Sequence, residues 1–195
     1  AGGSADMMRD RKYQEVHLMR GKFLNAFRNG SAALLKSNAT AELISRLFSN
    51  LNDFESGKLR VGKIILAADP DIDGLHINNL FHAFLWNVVP QAYEEGRVLV
   101  ADVPLYKATL KQTVVYGYSV EDVDEQLRAK TRNIKARTIS RFKGLGEMNP
   151  KEIYSFILNP DTRKLRVIQP PVDSTAAQHL RLLLGKDSGY RKECF

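Results

Sequence analysis

The feature that most constrains this chain is an apolar run that leads directly into a cluster of acidic residues. Residues 64–68 are all apolar and show no polar alternation, which predicts a strand buried on both faces. Asp69, Asp71 and Asp73 follow at alternate positions. A long amphipathic helix is expected next, from Gly74 to near Gly96 with an irregularity at Pro90, and then a second apolar strand. Because strand, helix and strand follow one another, we expect an α/β fold with a parallel sheet.

The remaining sequence predicts further alternation of helices and strands. After Lys107 the pattern changes to short predicted strands and helices. We therefore divide the chain into a first domain at 1–107 and a C-terminal α/β tail at 108–195. Helices are expected over 40–51, 120–130, 149–158 and the end of the chain, and strands over 13–19, 97–108, 111–119 and 136–142.

Composition limits the function classes. The 29 basic residues exceed the 22 acidic ones and give a net charge of +7. This charge raises the expectation of a nucleic-acid partner, but on its own it more often indicates a solvated charged surface. The single cysteine, Cys194, excludes an intramolecular disulfide and indicates a reducing, cytoplasmic location. No apolar run reaches the roughly 18 residues of a membrane span. Because the chain starts at Ala1, we expect it to be a fragment or a processed piece.

The three aspartates allow three interpretations. An EF-hand calcium loop would use Asp69, Asp71 and Asp73 as ligands, but it needs a glutamate at its twelfth position, where Leu80 stands, and a helix before it. A magnesium site at the carboxyl end of a parallel strand suits carboxylate oxygens. An acidic turn that caps the next helix is the third interpretation, and the residues alone leave the last two open. Repulsion among the carboxylates predicts an abnormal pKa for at least one of them.

Five segments together resemble the Toprim-bearing subunit of the type IIA DNA topoisomerases. The acidic stretch G-K-I-I-L-A-A-D-P-D-I-D-G-L-H-I is similar to the acidic motif of its Toprim domain. The other four are A-G-G-S-A with R-D-R-K-Y-Q, L-M-R-G-K-F-L-N from Leu18, R-F-K-G-L-G-E-M-N-P-K-E-I-Y from Arg141 together with L-N-P-D-T-R-K-L from Leu158, and L-L-L-G-K-D-S-G-Y-R-K-E-C-F at the end. The resemblance extends over nearly the whole chain. It is to the Toprim-bearing subunit of bacterial gyrase and topoisomerase IV, or to a phage version of that subunit. It implies a Rossmann-like parallel sheet flanked by helices.

The resemblance also implies the site residues. Asp69 and Asp71 should bind Mg²⁺ directly, with two ions expected, and Asp73 should complete or support the site. His76 matches the histidine that follows the acidic motif, and it joins the aspartates as a catalytic residue.

A second set of positions matches residues near the cleaved DNA. The family pattern assigns DNA contacts to Arg20, Lys22, Asn25 and Lys143. Two positions depart from the pattern: Pro70 replaces the usual alanine between the first two aspartates, and Asn78 stands where arginine is frequent. The proline removes no ligand, whereas the asparagine removes one possible contact, either with a phosphate or in packing.

The mechanism that the resemblance implies is DNA cleavage and religation during ATP-dependent strand passage. The nucleophilic tyrosine belongs to a partner breakage-reunion subunit, and ATP is used by a domain or chain outside this sequence. The family's catalytic glutamate lies in an E-G-D-S segment just before A-G-G-S-A, so we expect this chain to lack it. We expect the chain alone to be inactive, since it also contains no G-x-x-x-x-G-K-[ST] motif.

Two other functions stay open at this point. A non-catalytic DNA-binding or scaffold fragment would keep the fold and bind DNA equally well with or without Mg²⁺. A Toprim enzyme of another kind, such as a primase or nuclease, is disfavoured by the R-F-K-G-L-G-E-M-N-P block.

Overall fold

A computed structural model describes residues 1–19, 22, 24–169 and 174–193. Helices make up much of these ranges, and several are only one or two turns long. The α-helices are α1 (Gly2–Met8), α2 (Ser31–Lys36), α3 (Asn38–Leu47), α4 (Leu51–Glu55), α5 (Ile72–Val88), α6 (Gln91–Glu94), α7 (Val120–Arg128), α8 (Pro150–Ile153), α9 (Ser174–Leu184) and α10 (Gly189–Glu193).

The strands of the described ranges are short and form two sheets. They are β1 (Ile64–Leu66), β2 (Val98–Ala101), β3 (Tyr106–Leu110), β4 (Thr113–Gly117), β5 (Thr138–Arg141) and β6 (Leu165–Val167). One sheet has the order β1-β2-β6 and the other the order β4-β3-β5. A 3₁₀ turn at Leu145–Glu147 follows β5, and a π-helical turn at Tyr154–Leu158 continues α8.

The chain folds as two compact units, and each unit is built from three separate segments of the sequence. Unit 1 comprises Ala1–Val16, Ala67–Asp71 and Ala101–Leu165, and unit 2 comprises His17–Leu66, Ile72–Val100 and Arg166–Phe195. Asp69 and Asp71 therefore belong to unit 1, whereas Asp73 belongs to unit 2.

Unit 2 contains the predicted strand–helix–strand. Strands β1 and β2 pair in parallel, with Ile64 opposite Val98 and Leu66 opposite Val100. Helix α5 connects them and buries its apolar side against the core, where Phe84 and Leu85 have no exposed surface. The expected α/β fold with parallel pairing is confirmed.

Unit 1 contains an antiparallel sheet. Strand β3 pairs with β4 on one side and with β5 on the other. Helix α7 covers this sheet and buries Val123 and Leu127. The segment that follows β5 forms a separate apolar cluster with the residues after it, made of Phe142, Met148, Ile153 and Leu158.

Several expected elements differ from the structure. The helix expected to end near Gly96 stops at Val88 and is followed by the separate helix α6, and the helix expected over 40–51 ends at Leu47. Residues 14–19 form no strand, and Gln14 instead donates through Nε2 to the carbonyl of Leu158 at 2.6 Å. The single strand expected over 97–108 is divided into β2 and β3. None of the helices in the described ranges is both long and apolar enough to cross a membrane.

Candidate active site: an acidic turn and a glycine-rich loop

The acidic turn lies between β1 and α5 in the sequence. Asp69 comes three residues after β1, Asp71 immediately precedes α5, and Asp73 is the second residue of that helix. The side chains of all three are exposed, as is that of His76 one turn further along α5. Exposed carboxylates at the start of a helix fit a binding role and a helix-capping role equally well.

Asp69 is held by the backbone of a distant loop. The amide of Leu145 donates a 2.7 Å hydrogen bond to Asp69 Oδ1. Leu145 is the first residue of the 3₁₀ turn, and Gly144 precedes it in extended conformation. The segment 143–147, which we name the Gly-Leu-Gly loop, therefore contacts the acidic turn within unit 1.

Asp73 has a different partner. The ammonium group of Lys22 lies 2.9 Å from Asp73 Oδ1. The hydrogen bond and the charge of Lys22 lower the pKa of Asp73, and the charge of nearby His76 lowers it further. An abnormal pKa was expected for at least one of the three carboxylates, and the pKa of Asp73 is abnormal. The expected cause was mutual repulsion, which would raise the pKa, whereas the actual cause is Lys22, a lysine distant in sequence that pairs with the carboxylate.

The carboxylates fit a hard divalent cation in their chemistry. Oxygen donors of this kind suit Mg²⁺, which binds through one or two carboxylates together with waters. Asp69 keeps acceptor capacity, since an ionised carboxylate has about four lone-pair sites and one amide uses one of them. Within the ranges described, no three His, Cys, Asp or Glu side chains form a group that could hold a metal ion.

The predicted DNA-contact residues have three different environments. Lys143 is exposed, and its amide donates to Glu147 Oε2 at 2.9 Å. Asn25 is half-buried: it donates through Nδ2 to the carbonyl of Leu184 at 2.7 Å and accepts from the amide of Phe27 at 2.9 Å. Lys22 is paired with Asp73, as above. Arg20 lies outside the described residues.

Sequence reasoning missed the residues that hold Asp69. The only role predicted for this loop was the DNA contact of Lys143, yet a Cβ placed on Gly144 would lie 3.0 Å from both Cγ and Oδ1 of Asp69. No spacing rule could reveal this contact, because 76 residues separate Leu145 from Asp69. The available signal was the pair of glycines in K-G-L-G-E-M, which permits a close approach of the backbone but does not identify the partner.

Known protein families match both parts of the chain. A family model described as the Toprim domain matches residues 1–103. A second, described as the carboxyl terminus of the DNA gyrase B subunit, matches residues 134–195.

Curated relatives agree with these matches. The chain is 36% identical over 194 residues to the DNA gyrase B protein of Thermotoga maritima, covering 99% of this chain and 30% of the relative. It is 39% identical over 170 residues to the DNA gyrase B protein of Metamycoplasma hominis, covering 87% and 26%. It is 33% identical over 200 residues to the DNA gyrase B protein of Thermus thermophilus, covering 99% of this chain and 31% of the relative. The chain thus spans less than a third of the length of these relatives.

The order of the matches agrees with the order of the structural parts: the acidic turn falls within the Toprim match, and the Gly-Leu-Gly loop falls within the gyrase B match. The chain therefore belongs to the Toprim family, and its Toprim domain is followed by a segment that matches the carboxyl terminus of the DNA gyrase B subunit.

Proposed function

We propose that this chain supports the cleavage and religation of double-stranded DNA in a type IIA topoisomerase complex. The observation that carries the proposal is the 2.7 Å hydrogen bond from Leu145 to Asp69. It joins the acidic turn to a loop whose exposed Lys143 stands two residues before the donor. Cationic groups attract a DNA phosphate, and carboxylates beside them suit a cation that binds the same phosphate.

In this proposal Asp69 and Asp71 hold Mg²⁺, and Asp73 supports the site. When bound, the ion stabilises charge on the phosphate and on the leaving 3′ oxygen. The hydroxyl of a tyrosine on the partner breakage-reunion subunit attacks phosphorus, so that a phosphotyrosine bond forms while the bond to the 3′ oxygen breaks. Religation reverses both changes. We assign His76 to the phosphate environment, since it lies one turn after Asp73.

The DNA contacts proposed for this chain are electrostatic. Arg20, Lys22 and Lys143 carry the positive charge that attracts a phosphate backbone. Asn25, a few residues after Lys22, is proposed as an uncharged DNA contact. Binding of this kind tolerates most sequences and weakens with salt. In this proposal ATP is hydrolysed by an ATPase domain or chain of the complex, which acts on cytoplasmic DNA.

The test is Mg²⁺-dependent DNA cleavage by a complete complex that contains this chain, the tyrosine subunit and the family's glutamate-bearing segment. Asp69→Ala and Asp71→Ala should each abolish or severely reduce cleavage, and Asp73→Ala should have a smaller effect. Asp161→Ala is the matched control, because Asp161 is an exposed aspartate in a turn far along the sequence. Wild-type cleavage by Asp69→Ala and Asp71→Ala across a Mg²⁺ titration would refute the proposal.

The ion pair of Lys22 with Asp73 favours one second candidate, a non-catalytic DNA-binding scaffold in which Asp73 serves to orient the lysine. DNA affinity would then be the same in Mg²⁺ and in EDTA. The aspartate variants would also leave cleavage by the complex unchanged.

A further inference from the structure

Gly144 and Leu145 of the Gly-Leu-Gly loop lie against the exposed carboxylate of Asp69. The Leu145 amide donates to Oδ1 at 2.7 Å, near the short end of the range for an N–H to oxygen hydrogen bond. A bond to an ionised acceptor is shorter and stronger than a neutral one. The contact therefore fixes one oxygen of Asp69 in place.

Gly144 provides the space for this contact. A Cβ at this position would lie 3.0 Å from Asp69 Oδ1 and 3.2 Å from Oδ2. The backbone of Gly144 is extended, with φ at −165° and ψ at 167°, so its conformation would accept any residue. Lack of room, rather than backbone strain, is thus what a side chain would meet here.

The loop is also held by contacts that do not involve Asp69. Glu147 accepts from the amide of Lys143 at 2.9 Å and donates its own amide to the carbonyl of Gly144 at 3.1 Å. Buried Phe142 and Met148 anchor the two ends in the apolar cluster of unit 1. A loop fixed in this way can impose an orientation on a carboxylate that is itself exposed.

We propose that Gly144 and Leu145 are positioning residues that orient the Asp69 carboxylate for cation binding. The inference rests on the proposed function, in which Asp69 is a ligand. Mg²⁺ demands near-ideal octahedral geometry, and hydrogen bonds to ligating groups set their orientation. Neither residue contacts the cation or the reacting atoms; each acts through Asp69.

Two pairs of variants separate this role from simple loop damage. Gly144→Ala displaces the carboxylate, whereas Gly146→Ala is its control, because a Cβ on Gly146 meets nothing within 4 Å. Leu145→Pro removes the donor together with the leucine side chain. The backbone accepts proline here, since Leu145 begins the 3₁₀ turn and an extended residue precedes it. Leu145→Ala keeps the donor and removes the side chain that packs on the loop's apolar cluster.

The main measurement is binding of Mn²⁺, a probe for hard oxygen-donor sites, to the full chain by electron paramagnetic resonance, with Mg²⁺ as competitor. Gly144→Ala and Leu145→Pro should weaken binding by about 10- to 100-fold, the usual effect of losing a group that orients a metal ligand. Gly146→Ala and Leu145→Ala should bind like wild type. Circular dichroism in EDTA verifies that all four variants are folded.

A metal-free cycle tests the contact by itself. Gly144→Ala should lower the unfolding midpoint in the wild-type background and leave it unchanged in Asp69→Ala, where the carboxylate is absent. If Asp69→Ala binds Mn²⁺ like wild type, the proposed function fails, and the positioning role fails with it. If Asp69→Ala loses binding while both Gly144→Ala and Leu145→Pro retain it, only the positioning role is overturned.

Discussion

Lys22 and Asp73 form an ion pair, with the ammonium nitrogen 2.9 Å from Oδ1 of the carboxylate. About half of the Lys22 side chain (48%) and most of the Asp73 side chain (75%) are exposed. Exposed ion pairs are weak, because water and salt screen them. A DNA phosphate can therefore compete with Asp73 for the lysine, and the pair does not exclude the predicted DNA contact.

Replacing Lys22 by alanine should weaken DNA binding in a salt-dependent manner. Loss of one phosphate contact reduces the slope of log K against log salt by about 1. The measurement is fluorescence anisotropy with duplex DNA over a salt series. Lys130→Ala is the control, since Lys130 is an exposed lysine just beyond α7. An unaltered slope in Lys22→Ala would remove this residue from the DNA contacts.

The purified chain alone should neither relax supercoiled plasmid nor hydrolyse ATP. The family's nucleophilic tyrosine belongs to another subunit, and no phosphate-binding G-x-x-x-x-G-K-[ST] motif occurs in the sequence. A gel assay of plasmid topology and a phosphate-release assay measure the two activities. Relaxation that persists in Asp69→Ala would show a contaminant, whereas relaxation lost in that variant would contradict the prediction.

Glu152 should make the stability of unit 1 sensitive to acid. Burial by itself raises the pKa of this carboxyl, but bonds from Lys107 at 2.8 Å, from the Asn149 amide at 2.9 Å and from the Tyr116 hydroxyl at 2.9 Å lower it, and the net direction is down. A lowered folded-state pKa means that the stabilisation is present above the unfolded value of 4.5. It is lost as the pH falls through the folded value.

Glu152→Gln keeps the capping geometry with Asn149 but loses the charge that pairs with Lys107. We expect a loss of about 1.5–3 kcal/mol in the free energy of unfolding at pH 7, the usual range for a hydrogen bond to a charged group. The loss should shrink below pH 4.5. Urea titrations over a pH series measure both effects, with Glu125→Gln on the exposed side of α7 as control. An equal loss at every pH would contradict the assignment.

The stability loss caused by alanine substitutions in α5 should depend strongly on whether the replaced side chain is buried. Phe84 has no exposed surface, so Phe84→Ala should cost about 3–5 kcal/mol, the range for removing a buried aromatic ring. Ile72 is 86% exposed, and Ile72→Ala should change stability by less than about 0.5 kcal/mol. Chemical denaturation of both variants is the measurement. A large loss in Ile72→Ala would indicate that this residue is covered in solution.

Local patterns identified the elements that depend on local forces. The unbroken apolar run at 64–68 is sufficient to indicate β1, and the long amphipathic stretch before Pro90 is sufficient to indicate α5. The alternation at 13–19 gave a wrong strand, because a strand also needs a partner edge, and Gln14 bonds to Leu158 instead. Alternation reports the period of the side chains, not the availability of a neighbour.

The candidate site could be predicted only in part for a related reason. The three aspartates are visible as a motif, and their residue type indicates a cation. Their partners, Leu145 for Asp69 and Lys22 for Asp73, come from segments that the fold brings close. Charge repulsion among neighbours in sequence was therefore a poor guide to the pKa of Asp73, which depends on tertiary contacts.

Lys22 should compete with a bound cation for the carboxylate of Asp73. If Asp73 supports a cation site, the Lys22 ammonium opposes cation binding twice: it occupies Oδ1, and its positive charge repels a divalent ion. Lys22→Gln should therefore strengthen binding of Mn²⁺ to the full chain, and the gain should disappear in the Asp73→Asn background. Electron paramagnetic resonance at low salt measures the affinity, and Lys130→Gln controls for the change in net charge. If Lys22→Gln and Lys130→Gln bind Mn²⁺ alike, Asp73 serves to hold the lysine rather than to support a metal.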